Sequence, residues 1–217
     1  MASYFNLTLD TTAPVGAGIT INGGATATNN PLVTLALSVS DGETNGYQMK
    51  LWGIAGVESE SAAQWETFAA SKQVTLPSGD GQKTVYAKFR DDVWNESAQV
   101  SASITLNTAV PVVTVLGPDK AKISKVSGMD TSVFTFTTDV DIGEYKVCVV
   151  TEANATHTQG TQIGTDGGSE NMSGGPVTAN SEVSCTVKAA DLDAASSGDG
   201  VKIVKVFAKT AVGTWSV

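Results

Sequence analysis

Residues able to do chemistry are few in this chain. His157 is its sole histidine, and any Ser-His-Asp or Cys-His arrangement would have to be built on that one imidazole. It lies in a polar stretch and reads as an exposed loop residue, a contact candidate rather than a base. Neither Cys148 nor Cys185 sits beside a helix start that would lower its pKa. Acidic pairs occur at Asp91-Asp92, Asp139-Asp141 and Asp191-Asp193. A glycosidase needs two carboxyls facing each other across a concave site, whereas these pairs fall where turns are expected, and Asp is favoured in turns for its side-chain to backbone hydrogen bonds. The chain is therefore expected to be non-enzymatic, with no catalytic residues.

Hard cations bind oxygen-rich loops and module junctions. Asp10, Asp91, Asp92 and Asn95 would converge near one end of the first unit and are weak calcium candidates, although no EF-hand or RTX-type repeat is present. No other metal and no cofactor is expected. The "SGDG" runs lack the following helix with Lys-Ser/Thr of a phosphate cradle, and a hairpin turn accounts for them.

The elements that carry these residues are strands. The 217 residues are poor in charge and rich in Thr, Val, Ser, Ala and Gly, which favours short strands and turns over helices. In "LVTLALSVS" (32–40), Val33, Leu35, Leu37 and Val39 point one way and Thr34, Ala36 and Ser38 the other, the period of a strand with one buried face. After the turn-forming "SDGETNG", "GYQMKLWG" sets Tyr47, Met49 and Leu51 against Gln48, Lys50 and Trp52, which places Trp52 on the outer face as a contact candidate, with burial the preferred reading for it. "KTVYAKFRD" and "SAQVSASITLN" close a first unit. "ESESAAQWETFAAS" reads as one helical turn or a loop, with Trp65 and Phe68 plugging an open edge. The pattern predicts an all-β protein of antiparallel, immunoglobulin-like sandwiches.

A second unit replays the first. "SGDGQKTVYAKF" (78–89) answers "SGDGVKIVKVFA" (197–208), and "SVFTFTTDVDIGEYKVCVV" parallels "LVTLALSVSDGETNGYQMKLW". The predicted organisation is an N-terminal arm over 1–10, a sandwich over 11–108, and a divergent sandwich over 109–217 with a long polar loop at 151–180. That loop is expected to project or to form a short extra hairpin. Cys148 and Cys185 lie in strand-like stretches; a disulfide between sheets is conceivable, but two small buried thiols are the preferred reading in a reducing compartment.

"LTLDTTAP" (7–14) returns as "ITLNTAVP" (104–111). The second copy reads as the last strand of unit 1 running into a linker, stiffened by Pro111. By the same logic the first copy, with Leu7 and Leu9, is a detached last strand. It either adds to the free edge of a neighbouring protein or curls back onto its own first sandwich.

The formal charge of −9 is spread evenly, with 5 basic and 10 acidic side chains over 1–108 and 8 and 12 over 109–217. Without a basic patch, nucleic acid is not an expected ligand. "MASYFNLTLD" lacks the features of a signal peptide, and no segment approaches the roughly 20 apolar residues of a membrane span. Folding in a cytoplasm, without membrane insertion, is the expectation.

The run from Asp10 to Pro14, the block "WETFAASKQVTLPSGDGQKTVYAKFRD" (65–91) and Asn95-Glu96 resemble an immunoglobulin-like module that recurs in bacterial surface proteins and tailed-phage virion proteins. The resemblance covers most of 7–108 and is weaker over 109–217. Where that module ends its turn with Gly-Asn, this chain has Trp94-Asn95; Gly213 stands at the matching place in unit 2. The resemblance implies an architectural or adhesive role and carries over no catalytic residue. The expectation that follows is a structural protein of a tailed-phage virion, a head or tail decoration protein. It would be assembled in the host cytoplasm in multiple copies, docked on other virion proteins through the N-terminal strand, with surface glycans of the host as a further partner. The alternatives are a bacterial cell-surface or S-layer-associated adhesion module and, third, a carbohydrate-binding accessory module, for which Trp52 and Trp94 are the candidates.

Overall fold

The computed structural model describes residues 3–40 and 46–217. Among the described residues the chain is all-β apart from one short helix and a single 3-10 turn, and it divides into two compact units, 1–107 and 108–217. The acidic turn expected at 41–45 lies outside the described residues.

Unit 1 contains β1 (Val15–Ile21), β2 (Ala27–Thr28), β3 (Leu32–Ser40), β4 (Gln48–Trp52), β5 (Glu66–Thr67), β6 (Ser71–Thr75), β7 (Gly81–Arg90) and β8 (Val100–Leu106). They form two sheets, β1-β3-β6 and β2-β8-β7-β4-β5. All pairings are antiparallel except that of β2 with β8. This is the immunoglobulin-like strand order. The alternation read from the sequence sets the core: Val33, Leu35 and Leu37 from one sheet meet Met49, Leu51, Val85, Ala87, Phe89, Ile104 and Leu106 from the other. The segment "ESESAAQW" forms turns rather than a helix. Phe68 plugs the core beside Phe89, with ring centroids 5.9 Å apart.

Unit 2 contains β9 (Val113–Leu116), β10 (Thr131–Thr138), β11 (Glu144–Val150), β12 (Thr161–Gln162), β13 (Ser173–Gly174), β14 (Val183–Lys188), α1 (Ala189–Ala195) and β15 (Ile203–Lys209). One sheet is β14-β10-β9; in the other, β11 carries β15 on one side and the short β12 and β13 on the other. The inter-sheet core gathers Phe134, Phe136, Tyr145, Val147, Cys185, Val187 and Val206. A smaller cluster of Cys148, Val150, Ala155 and Phe207 lies on the other face of β11 and β15, with Trp215 against it.

Two expectations are corrected here. The polar stretch 151–180 does not project: it supplies both β12 and β13, each paired with β11, and three of its apolar residues, Ala155, Ile163 and Met172, are buried. The Asp191-Asp193 pair is not on a turn but in α1, where an Ala- and Leu-rich run of strong helix formers follows β14 directly.

A shared device follows β7 in unit 1 and β15 in unit 2. In unit 1 the Ser97 amide donates to the Phe89 carbonyl (2.8 Å) and the Phe89 amide donates to Ser97 Oγ (3.0 Å). In unit 2 the Ser216 amide donates to the Ala208 carbonyl (2.7 Å) and the Ala208 amide to Ser216 Oγ (3.0 Å). Phe89 thus corresponds to Ala208, as the "SGDG" echo implies.

Candidate functional site

The lone histidine is committed to packing. His157 is half-buried, and its ring stacks on Trp215 at 4.7 Å and 7°. Lys146 and Lys209 approach the same indole, each 5.1 Å from its centroid. The two cysteines are free and buried on different clusters, Cys148 on the outer face of β11 and Cys185 between the sheets. Burial raises the pKa of both thiols, that of Cys185 to about 11, so neither is poised as a nucleophile.

The acidic pairs are occupied by backbone. Asp91 is buried; its Oδ1 accepts from the amides of Val93 (3.0 Å) and Asn95 (2.9 Å) and its Oδ2 from Asn95 Nδ2 (2.9 Å). Asp139 caps the Val112 amide and Asp141 the Ala179 amide. Asp191 is buried and accepts from the amides of Gly167 (2.6 Å) and Ser169 (2.8 Å). Its burial opposes ionisation, but the Ser169 and Gly167 hydrogen bonds, with Lys188 nearby, outweigh that and hold the carboxyl below its ordinary range.

The calcium candidates do come near one another, but around a donor. Asn95 presents its amide nitrogen to Asp91 Oδ2 and, at 3.5 Å, to the Asp10 carbonyl, while Asp10 Oδ1 accepts from the Thr12 amide and Asp92 stays exposed. Among the described residues no group of three or more His, Cys, Asp or Glu side chains is disposed to hold a metal ion.

Of the two tryptophan contact candidates, Trp52 adopts the buried alternative preferred for it: it is 5% exposed. It stacks on Tyr86, its direct cross-strand neighbour, at 5.5 Å and 10°. The segment 53–65 lies over this face, where Glu60 reaches Lys88 (2.8 Å) and Lys50 (3.9 Å). Trp94 is 70% exposed. It occupies the left-handed region at φ 72°, where unit 2 has Gly213 at φ 96°, so an indole stands where the turn favours glycine. The Arg90 guanidinium lies between Trp94 (5.0 Å) and Trp65 (4.5 Å).

The larger exposed apolar feature is the arm. Tyr4, Phe5, Leu7 and Leu9 are all at least 85% exposed, and residues 3–14 form no strand. Of the two fates open to Leu7–Asp10, pairing with the first sandwich is not adopted. Unit 2 carries a feature of opposite kind, a cleft of about 360 Å³ between β9 and β15, lined chiefly by valines that include Val112, Val115, Val204 and Val217. Sequence reading found the arm through its repeat but missed the cleft, which follows only from counting strands.

No family model matches the chain, and no curated protein matches it. Among solved structures, the fibronectin(III)-like modules of Clostridium thermocellum CbhA are 14% identical with a TM-score of 0.45, covering 92% of this chain and 90% of that one. A structure of a 1.5-MDa bacterial ice-binding adhesin is 16% identical with a TM-score of 0.42, covering 92% and 60%. The D00-D0 domain of intimin is 17% identical with a TM-score of 0.33, covering 91% and 94%.

Proposed function

We propose that this chain is a non-enzymatic structural protein, a pair of tandem sandwiches that decorates the head or tail of a tailed-phage virion. The observation that carries the reading is the exposed apolar arm in front of two sandwiches that each have a core of their own. Contiguous exposed apolar surface marks an interaction site, and the histidine, thiols and acidic pairs that chemistry would need are spent on packing and turns. Docking on other virion proteins through the arm, in many copies, follows from the same feature.

Quantitative mass spectrometry of purified particles and of cell envelopes from the source tests this. Hundreds of copies per particle support capsid or tail decoration, and a handful support a neck or fibre base. Enrichment on envelopes with none in particles would replace the virion reading with that of a cell-surface adhesion module.

One observation favours the carbohydrate-binding reading as a second: the exposed Trp94, backed by Arg90 and Trp65, is a flat aromatic platform of the sort sugars stack on. Saturable binding to one polysaccharide, lost in Trp94→Ala, would support it.

A further inference from the structure

Unit 1 leaves a cation uncompensated at a place where unit 2 neutralises it. The paired serines set Phe89 against Ala208, so Arg90 corresponds to Lys209. Their cross-strand neighbours are Gln48 on β4 and Glu144 on β11. In unit 2, Lys209 Nζ bonds Glu144 Oε1 at 2.6 Å. In unit 1 a neutral glutamine stands there instead, and among the described residues no carboxylate lies within 4 Å of Arg90, whereas Lys50 and Lys88 on the same sheet both reach Glu60. Arg90 is also the single arginine among the 13 Lys and Arg residues of the chain.

The guanidinium is held in place. Arg90 Nε donates to Gln48 Oε1 (2.7 Å), and the group lies between Trp65 (4.5 Å) and Trp94 (5.0 Å). Among the described residues its two terminal nitrogens have no acceptor. They form the parallel pair of donors that fits a carboxylate, and a pre-ordered fork loses little freedom on binding.

The fold does not require Trp94. Unit 2 makes the equivalent turn with Gly213, whereas unit 1 keeps an indole 70% exposed in left-handed backbone. Strain of this kind persists where its surroundings fix it, and it gathers at ligand sites. Here Asp91 fixes it, accepting from the Val93 and Asn95 amides on either side of the indole. An exposed aromatic face thus stands beside a cation that has no counter-charge.

We propose that Trp94 and Arg90 bind an acidic polysaccharide of the uronic-acid type. One sugar residue stacks its C–H face on the exposed indole of Trp94. A carboxylate of the same sugar chain, on that residue or its neighbour, accepts from the terminal nitrogens of Arg90 and supplies the charge that Glu144 supplies to Lys209 in unit 2. Exposed Asp92 opposes an incoming anion, but an exposed charge acts through water and is screened, whereas the guanidinium contact is direct.

The inference rests on the carbohydrate-binding reading of Trp94 and adds the class of sugar. Calorimetric titration of the purified chain with short oligomers of galacturonic, glucuronic and mannuronic acid, and with their methyl esters, tests it. At least one free acid is expected to bind, and its ester to bind at least about tenfold more weakly, the scale of a charge-assisted hydrogen bond. Gln48→Glu gives Arg90 the internal partner that Lys209 has. With its fold verified by circular dichroism, it is expected to weaken the acid by the same factor and to leave any binding of the ester as it was. Arg90→Gln is expected to act likewise, and Trp94→Ala to weaken both forms. An ester that binds as tightly as its acid, acid binding that Q48E and R90Q leave intact, or binding of a neutral galactan alone would each overturn the proposal and spare the carbohydrate reading. A chain that binds no sugar of either kind would overturn both. Poly-glutamate bound through Arg90 and Trp94 as tightly as the sugar acids would overturn the proposal by assigning the surface to an acidic protein.

Discussion

Replacing Asp191 by alanine removes the acceptor that fastens the stretch 167–169 to α1, and its cost can be worked from two hydrogen bonds. The Ser169 amide, in a buried residue, loses its charged partner at 2.8 Å without access to water, and an orphaned buried donor costs about 1–3 kcal/mol. The Gly167 amide is half-exposed and regains water, so its bond at 2.6 Å contributes about 0.5–1.5 kcal/mol net. Together the loss is about 1.5–4.5 kcal/mol. Both cysteines lie in unit 2, so labelling by a thiol reagent reports that unit alone, and mass mapping isolates buried Cys185. When opening is fast relative to labelling, the rate follows the opening free energy, and labelling of Cys185 in D191A should be faster by about 10- to 1,600-fold. The folded-state pKa of Asp191 is depressed by its amide partners. Its contribution is therefore fully present above the ordinary Asp range, near pH 4, and lost as pH falls through the folded value. In urea titrations the difference between wild type and D191A should hold from pH 7 to about 5 and shrink below about 4. A difference under about 0.5 kcal/mol at pH 7, or one unchanged down to pH 2, would refute this account of the anchor.

Three further outcomes are expected. Trp52→Ala should destabilise unit 1 by about 3–5 kcal/mol in urea unfolding, since a large buried ring stacked on Tyr86 is removed. Trp94→Gly should stay within about 0.5 kcal/mol of wild type, because relief of the left-handed backbone (about 1 kcal/mol) offsets the lost Arg90 stacking (about 0.5–1 kcal/mol). Gly53→Ala should cost at least about 2 kcal/mol in the same assay, because φ is 78° and a Cβ would meet the Thr84 carbonyl oxygen head on.

Strand alternation was legible wherever one face is dry and the other wet, as in β3 and β7, whose inward residues are those the period-2 pattern picked out. It set Trp52 on the outer face of β4 without showing what buries it, because that face is covered by a polar segment whose Glu60 bridges Lys50 and Lys88 and leaves no apolar mark in the sequence. The stretch 151–180 was misjudged for a similar reason: isolated Ile163 and Met172 in a polar run carry no periodicity, yet each fills a core position through backbone bonds to Val147. Helix α1 was hidden by its brevity. The departure at Trp94 was visible as a mismatch, and the positive φ shared with Gly213 explains what the position demands.

The pairing of β2 with β8 has a mechanical meaning. These strands run parallel, and the Thr105 and Asn107 amides bond the carbonyls of Thr26 (3.0 Å) and Thr28 (2.9 Å). Once β1 has parted from β3, a pull on the two ends of unit 1 draws β2 by its start and β8 by its finish, which slides the strands past one another and stretches those bonds together rather than one after another. A sandwich closed in this way resists tension along the chain better than one closed by a hairpin that can be peeled open. A protein strung between anchored neighbours has use for such a clasp.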